Sequence, residues 1–139
     1  MGKSISIAAR DGSGSFSGYL AVPASGRGPG VVIGQEIFGV NANMRSIADS
    51  YAEEGYVALV PDLFWRLQPN LELGYSEAEF GQAIGLFQRF DVDKGVDDIA
   101  AAIDALRALP AVEDRGIGYV GFCLGGKLAY LTAARTDAA

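Results

Sequence analysis

One cysteine in 139 residues stands between two glycines, in Gly121-Phe122-Cys123-Leu124-Gly125. Gly-x-nucleophile-x-Gly is the spacing of a sharp strand-to-helix turn that lifts a reactive side chain clear of the backbone. Such a turn leaves no room for side chains beside the nucleophile, which is why both flanks are glycine. Residues 117–122 form an apolar run suited to a strand, and residues 124–134 suit a helix. A helix start aims unpaired N–H groups and the positive end of the helix dipole at the sulfur. That setting favours thiolate over thiol. It also lets the N–H of Leu124 bind a developing oxyanion. The chemistry implied is acyl transfer through a covalent thioester. The competing reading of a lone cysteine is a small buried hydrophobe.

A second candidate, Glu36, directly follows the apolar run at residues 31–33, in Gly34-Gln35-Glu36-Ile37-Phe38-Gly39. It is either part of a site or a solvated carboxylate at a strand end. A carboxylate next to Cys123 would oppose ionisation of the thiol through like-charge repulsion. It is also a weak base here, since proton transfer from an ordinary thiol to an ordinary carboxylate is uphill by about 6 kcal/mol. Glu36 therefore suits a resting site that keeps the thiol neutral while another group makes the thiolate. The sequence contains no histidine.

The remaining chemical candidates are weaker. Asp62 reads as an active-site acid or, preferably, as a turn or cap residue. Phe64 and Trp65 either line a pocket or pack. Lys127 reads as solvated. Asp91, Asp93, Asp97 and Asp98 read as helix-start charge favoured by the dipole, and lack the spacing of a calcium loop. A zinc site lacks its usual His and Cys ligands. Gly121 to Lys127 has the spacing of a phosphate-binding loop, but Leu128 stands where Ser or Thr would hold magnesium. Gly116-x-Gly118-x-x-Gly121 matches a dinucleotide fingerprint, yet precedes and enters its strand instead of following it. No cofactor is expected.

Strand–helix alternation has to position these residues. Residues 3–8 and 16–22 alternate apolar and polar around a turn at residues 10–14, which predicts an antiparallel hairpin. Residues 31–33 and 56–60 are short, wholly apolar runs, as expected of strands covered on both faces. Between them Asn41 or Asn43 can cap a helix burying Met44, Ile47, Ala48 and Tyr51, with Gly55 at its C′ position. Pro61 should stop the second run, and a long loop over residues 62–75 follows, of a size usually functional or mobile. Ser76 and Glu79 form a capping box opening a helix to about residue 89. A further helix over residues 92–109 carries Val96, Ile99, Ile103 and Leu106 on one stripe, with Asp97, Asp98, Asp104 and Arg107 elsewhere. The pattern predicts an α/β fold with a mostly parallel sheet, an N-terminal antiparallel hairpin and helices on both faces. Reactive residues should lie at the carboxyl ends of its strands, where Glu36 and Cys123 both fall.

Composition narrows the setting. Half the residues are apolar and the formal charge is −6, without the basic cluster that nucleic acid requires. Disulfide, signal segment and membrane span all lack a counterpart in the sequence, so a cytoplasmic protein without membrane attachment is expected.

With the hairpin, Gly34-Gln35-Glu36-Ile37-Phe38-Gly39, and Gly118-Tyr119-Val120-Gly121-Phe122-Cys123-Leu124-Gly125-Gly126 in view, the chain resembles the dienelactone hydrolase family. Tyr56-Val57-Ala58-Leu59-Val60-Pro61-Asp62-Leu63 resembles that family's next strand, and the likeness extends over essentially all residues. The resemblance implies an α/β-hydrolase fold and hydrolysis of a small lactone or ester, with dienelactone to maleylacetate as the type reaction. It implies a Cys–His–Asp triad with Cys123 as nucleophile, Glu36 as the acidic neighbour that switches the thiol, and an oxyanion hole from the N–H groups of Leu124 and Ile37. The family's triad acid and histidine follow the elbow at a distance, and Asp137 is too near it to be that acid. The family's arginine for a substrate carboxylate is not evident, and neither Arg66 nor Arg89 is assigned to it. Residues 1–139 are thus expected to be the N-terminal part of one hydrolase domain, inactive alone. The far edge of the elbow strand should meet a missing C-terminal segment or another chain. The alternatives are a redox-responsive or non-catalytic domain with a reactive cysteine, and a fragment that self-associates through that edge.

Overall fold

The computed structural model describes residues 2–113 and 116–136; Asp137 lies outside them. In chain order the elements are β1 (Lys3–Ala8), β2 (Ser15–Ala21), β3 (Gly30–Gly34), α1 (Ala42–Glu53), β4 (Val57–Pro61), α2 (Glu77–Gln88), α3 (Val92–Arg107), β5 (Gly118–Gly121) and α4 (Leu124–Arg135). They build a five-stranded mixed sheet in the order β1-β2-β4-β3-β5. β1 with β2, and β2 with β4, run antiparallel, whereas β3 pairs in parallel with both β4 and β5. The α/β fold with an N-terminal antiparallel pair is as expected.

The central strands show why wholly apolar runs are needed. Their side chains alternate faces, and both faces are covered. Val32, Val57 and Leu59 belong to the core shared with α2, α3 and α4. Val31, Ile33, Ala58 and Val60 meet Met44, Ala48 and Ala52 of α1 on the other face. α1 starts where Asn41 Oδ1 accepts the Met44 N–H at 3.1 Å, which selects Asn41 over Asn43 as the cap. Gly55, at φ 99°, lets the chain leave the helix in the left-handed conformation. Ile47 and Tyr51, expected inside, are only partly buried. β4 runs one residue later than predicted, with Pro61 as its last member, paired opposite Gly18.

Residues 62–75 depart most from expectation. They form a series of turns with a core of their own: Leu63, Phe64, Leu71 and Leu73 are buried. Phe64 packs edge-on against Phe90 at 5.5 Å and Trp65 stacks on Phe16 at 5.2 Å, so both aromatics pack instead of opening a pocket. Asp62 takes the turn role, accepting the Asn70 N–H at 2.7 Å. Asp98 corrects the helix-face reading. It is 1% exposed and receives both nitrogens of the Arg66 fork, at 2.9 and 3.0 Å, and the Trp65 indole N–H at 2.9 Å. A carboxylate on the buried stripe is invisible to periodicity when its cation lies 32 residues away. The capping box opens α2 as expected: Ser76 accepts the Glu79 N–H, and the Glu79 carboxylate also takes the Gly74 N–H and the Ser76 hydroxyl. Among the described residues no helix is long and apolar enough to cross a membrane, and no acidic, His or Cys cluster could hold a metal ion.

Two stability predictions follow from these buried carboxyls. Asp98→Ala takes from the Arg66 guanidinium its buried partner, leaving it Asp11, and leaves the Trp65 indole N–H unpaired; it should lower stability by about 3 kcal/mol, read as a drop in urea midpoint at unchanged slope. A loss below about 0.5 kcal/mol would show the pair to be energetically idle. Asp62 is 2% exposed, and burial pushes its carboxyl above the usual range. The folded state then holds a proton that the unfolded chain releases, so stability falls as pH rises from the unfolded value, about 3.9, through the higher folded one. Asp62→Asn keeps an acceptor for Asn70 and should gain stability relative to the parent as pH rises from about 4 to 7. A difference flat in pH would contradict this.

Candidate active site

The elbow is held by main chain against main chain. β3 and β5 pair in parallel with Gly34 opposite Gly121, so Glu36 and Cys123 leave the sheet at the same offset, two residues beyond that pair. The Gly125 N–H donates to the Gln35 carbonyl at 3.0 Å and to the Phe122 carbonyl at 2.9 Å. The Phe122 N–H reaches the Gly34 carbonyl at 3.4 Å. A Cβ on Gly121 would overlap the Gly125 carbonyl, and a Cβ on Gly125 would overlap the Gly34 carbonyl. The flanking glycines are thus required by close approach, as the spacing implied.

The unusual backbone angles fall on the cysteine itself, φ 54° and ψ −113°. A non-glycine residue in that region is strained by roughly 1–3 kcal/mol, and it persists because the bonds on either side fix it. Cys123 occupies the cap position of α4 without a side-chain capping bond, and it is exposed. Among the described residues, the Leu124 N–H and the Ile37 N–H have no backbone hydrogen-bond acceptor. Both are therefore available at the start of a helix and at the end of a buried strand.

Three further residues shape the elbow, and the sequence reading missed their roles. The Tyr119 hydroxyl donates to the Gly125 carbonyl at 3.0 Å. A Cβ on Gly34 would occupy that hydroxyl's space. Burial pushes the Tyr119 phenol well above its ordinary value. Gln35 is fully buried; its Oε1 accepts the Leu63 N–H at 2.8 Å and its Nε2 donates to the Glu36 carbonyl at 3.0 Å. It thereby pins the end of β3 to the end of β4. The third is Tyr75, whose hydroxyl donates to Glu36 Oε1 at 3.1 Å. Side-chain amides and hydroxyls of this kind carry no periodic signal, so only the fold reveals them.

Of the other candidates, Lys127 is exposed as expected. Asp91 caps α3 through the Lys94 N–H, and Asp93 pairs with Arg135 at 2.9 Å. Arg66 is bound to Asp98 and Asp11 and lies over the Trp65 ring at 4.6 Å, which engages its guanidinium inside the protein. β5 pairs with β3 and, among the described residues, with no other strand.

The family model described as the dienelactone hydrolase family matches residues 16–139. The chain is 42% identical over 124 residues to a carboxymethylenebutenolidase of Pseudomonas sp. (strain P51), covering 88% of this chain and 52% of that protein. It is 43% identical over 132 residues to a carboxymethylenebutenolidase of Pseudomonas putida, covering 94% of this chain and 55% of that protein. The crystal structure of a candidate dienelactone hydrolase from Klebsiella pneumoniae subsp. pneumoniae superposes with a TM-score of 0.79 at 27% identity, over 98% of this chain and 55% of that one. The chain spans about half the length of the curated relatives it matches.

The elbow geometry makes a direct prediction. Cys123→Gly removes the strain that Cys123→Ala retains, so the glycine variant should be more stable than the alanine variant by about 1 kcal/mol, measured by chemical denaturation. The reverse order would mean that the turn is relaxed.

Proposed function

This chain belongs to the dienelactone hydrolase family, and we propose that Cys123 is the nucleophile with which the protein opens small lactones or esters. The observation that carries the reading is an exposed sulfur on a strained backbone at a helix start, two residues beyond the strand pair from which Glu36 also departs.

In this reading the sulfur attacks the substrate carbonyl carbon, and the carbonyl oxygen becomes an oxyanion. The N–H groups of Leu124 and Ile37 receive that charge, at a helix start where such donors need no reorganisation. Collapse of the tetrahedral species breaks the carbon–oxygen bond, leaving a thioester and an alkoxide or enolate leaving group. In a lactone both remain in one molecule. Water then cleaves the thioester and returns the thiol. In this scheme Glu36 is the acidic neighbour of the thiol, leaving the paired strands at the same offset as Cys123.

Deprotonating the thiol and activating water both need a base near neutrality. No histidine occurs in the 139 residues, so the base in this scheme comes from outside them. Among the described residues the side of β5 away from β3 pairs with no strand, and there a further segment or another chain would extend the sheet.

The scheme separates acylation from turnover. Treated with p-nitrophenyl acetate, the chain should gain one acetyl group, on Cys123, and release about one equivalent of nitrophenolate without continuing. Peptide mass spectrometry locates the adduct, and Cys123→Ala should acquire none. A freely titratable thiol that never acylates would remove Cys123 as the nucleophile.

A further inference from the structure

We infer that Tyr75 is a positioning residue: its hydroxyl tethers the Glu36 carboxylate, so the loop before α2 sets where that negative charge stands relative to Cys123. The inference rests on the reading of Cys123 as nucleophile and Glu36 as its acidic neighbour.

The direction of the tether follows from a helix cap. Asn41 Oδ1 accepts the Met44 N–H, which leaves the amide nitrogen facing the other way. That nitrogen donates to the Leu73 carbonyl at 2.9 Å and to the Tyr75 hydroxyl oxygen at 3.4 Å. An amide NH₂ offers no lone pair. The Tyr75 oxygen must therefore accept at that contact, which frees its proton for another partner. Glu36 Oε1 lies 3.1 Å from it. The relay runs one way, from Asn41 through Tyr75 to Glu36, and ends on a group that can only accept while it is ionised.

The ring is held as well as the hydroxyl. Phe38, two residues beyond Glu36, meets Tyr75 edge-on at 4.7 Å and lies 6.2 Å from Phe80. The Leu73 N–H donates to the Phe38 carbonyl at 2.9 Å, stapling the loop to the segment that carries Glu36. Yet Tyr75 is 58% exposed, so an ester arriving at the elbow can displace it. The charged and titratable groups on the surrounding elements are few. Cys123 caps α4 and Lys127 stands on it, and Arg45 on α1 pairs with Glu72. Glu77 and Glu79 open α2, with Glu79 engaged by Gly74 and Ser76. Among the described residues, Tyr75 makes the hydrogen bond to the Glu36 carboxylate.

The test is the rate of iodoacetamide alkylation of Cys123 between about pH 6 and 9, across thiol ionisation. It compares the parent chain with Tyr75→Phe, Glu36→Gln and the double variant. Glu36→Gln removes the opposing charge and should speed alkylation at neutral pH by about three- to tenfold. Tyr75→Phe frees the carboxylate to swing into water, and should speed it about twofold. In the Glu36→Gln background Tyr75→Phe should change nothing, because there is no charge left to hold. Tyr75→Leu, which also drops the packing on Phe38, should match Tyr75→Phe, with melting curves confirming that each variant is folded. No change, a slower reaction, or an equal change with and without Glu36 would overturn the tether while leaving the pairing of Glu36 with Cys123 intact. An unaltered profile in Glu36→Gln would instead remove that pairing, and both readings with it.

Discussion

Two stretches of bare backbone pass each other at the centre of this protein, Gly34 ending β3 and Gly125 in the first turn of α4. Neither partner carries a side chain, so the helix sits directly on the strand end, with the Tyr119 hydroxyl against both. From it come the bonds of Gly125 to Gln35 and Phe122, and with them the left-handed backbone of Cys123. The sheet exists to bring these two strand ends into register. Val31, Val32 and Ile33 bury both faces of β3, and that burial of apolar area supplies the free energy against which a strained turn is held.

The polar residues around the elbow form a second layer of constraint. Gln35 ties β3 to the chain after β4, and Tyr119 ties β5 to α4. Asn41 caps α1 while reaching Leu73 and Tyr75. Each joins two elements that hydrophobic packing alone would leave free to slide. Buried amides and hydroxyls are costly unless satisfied, so satisfying them selects one arrangement among the many that an apolar core would tolerate. The loop over residues 62–75 belongs to this layer, being tied to α3 through Asp98, Arg66 and Trp65.

Much of this was legible before any coordinates. Strand and helix periods located the elements to within a residue or two, since period and burial are the same information. The elbow was legible because close backbone approach leaves glycine as its trace. What escaped were long-range polar partnerships. Asp98 looked like one more helix-start acid, because nothing local names Arg66 as its partner. Residues 62–75 looked open, because their leucines follow no simple period, yet turns can bury side chains as thoroughly as helices do. Tyr75 carried no signal at all: its importance lies in a geometry shared with Asn41 and Glu36, 34 and 39 positions away.

That the sulfur is presented by main-chain atoms has a consequence for how such a protein can change over time. Outside three glycines and a handful of hydrogen-bonding side chains, Tyr75 among them, aromatic residues such as Phe38 and Phe80 contribute ring packing alone. A lineage that inherits this scaffold can trade those residues one at a time and leave the turn that presents the sulfur unchanged. The surroundings are free to drift while the means of presentation stays inherited, because different parts of the chain encode the two.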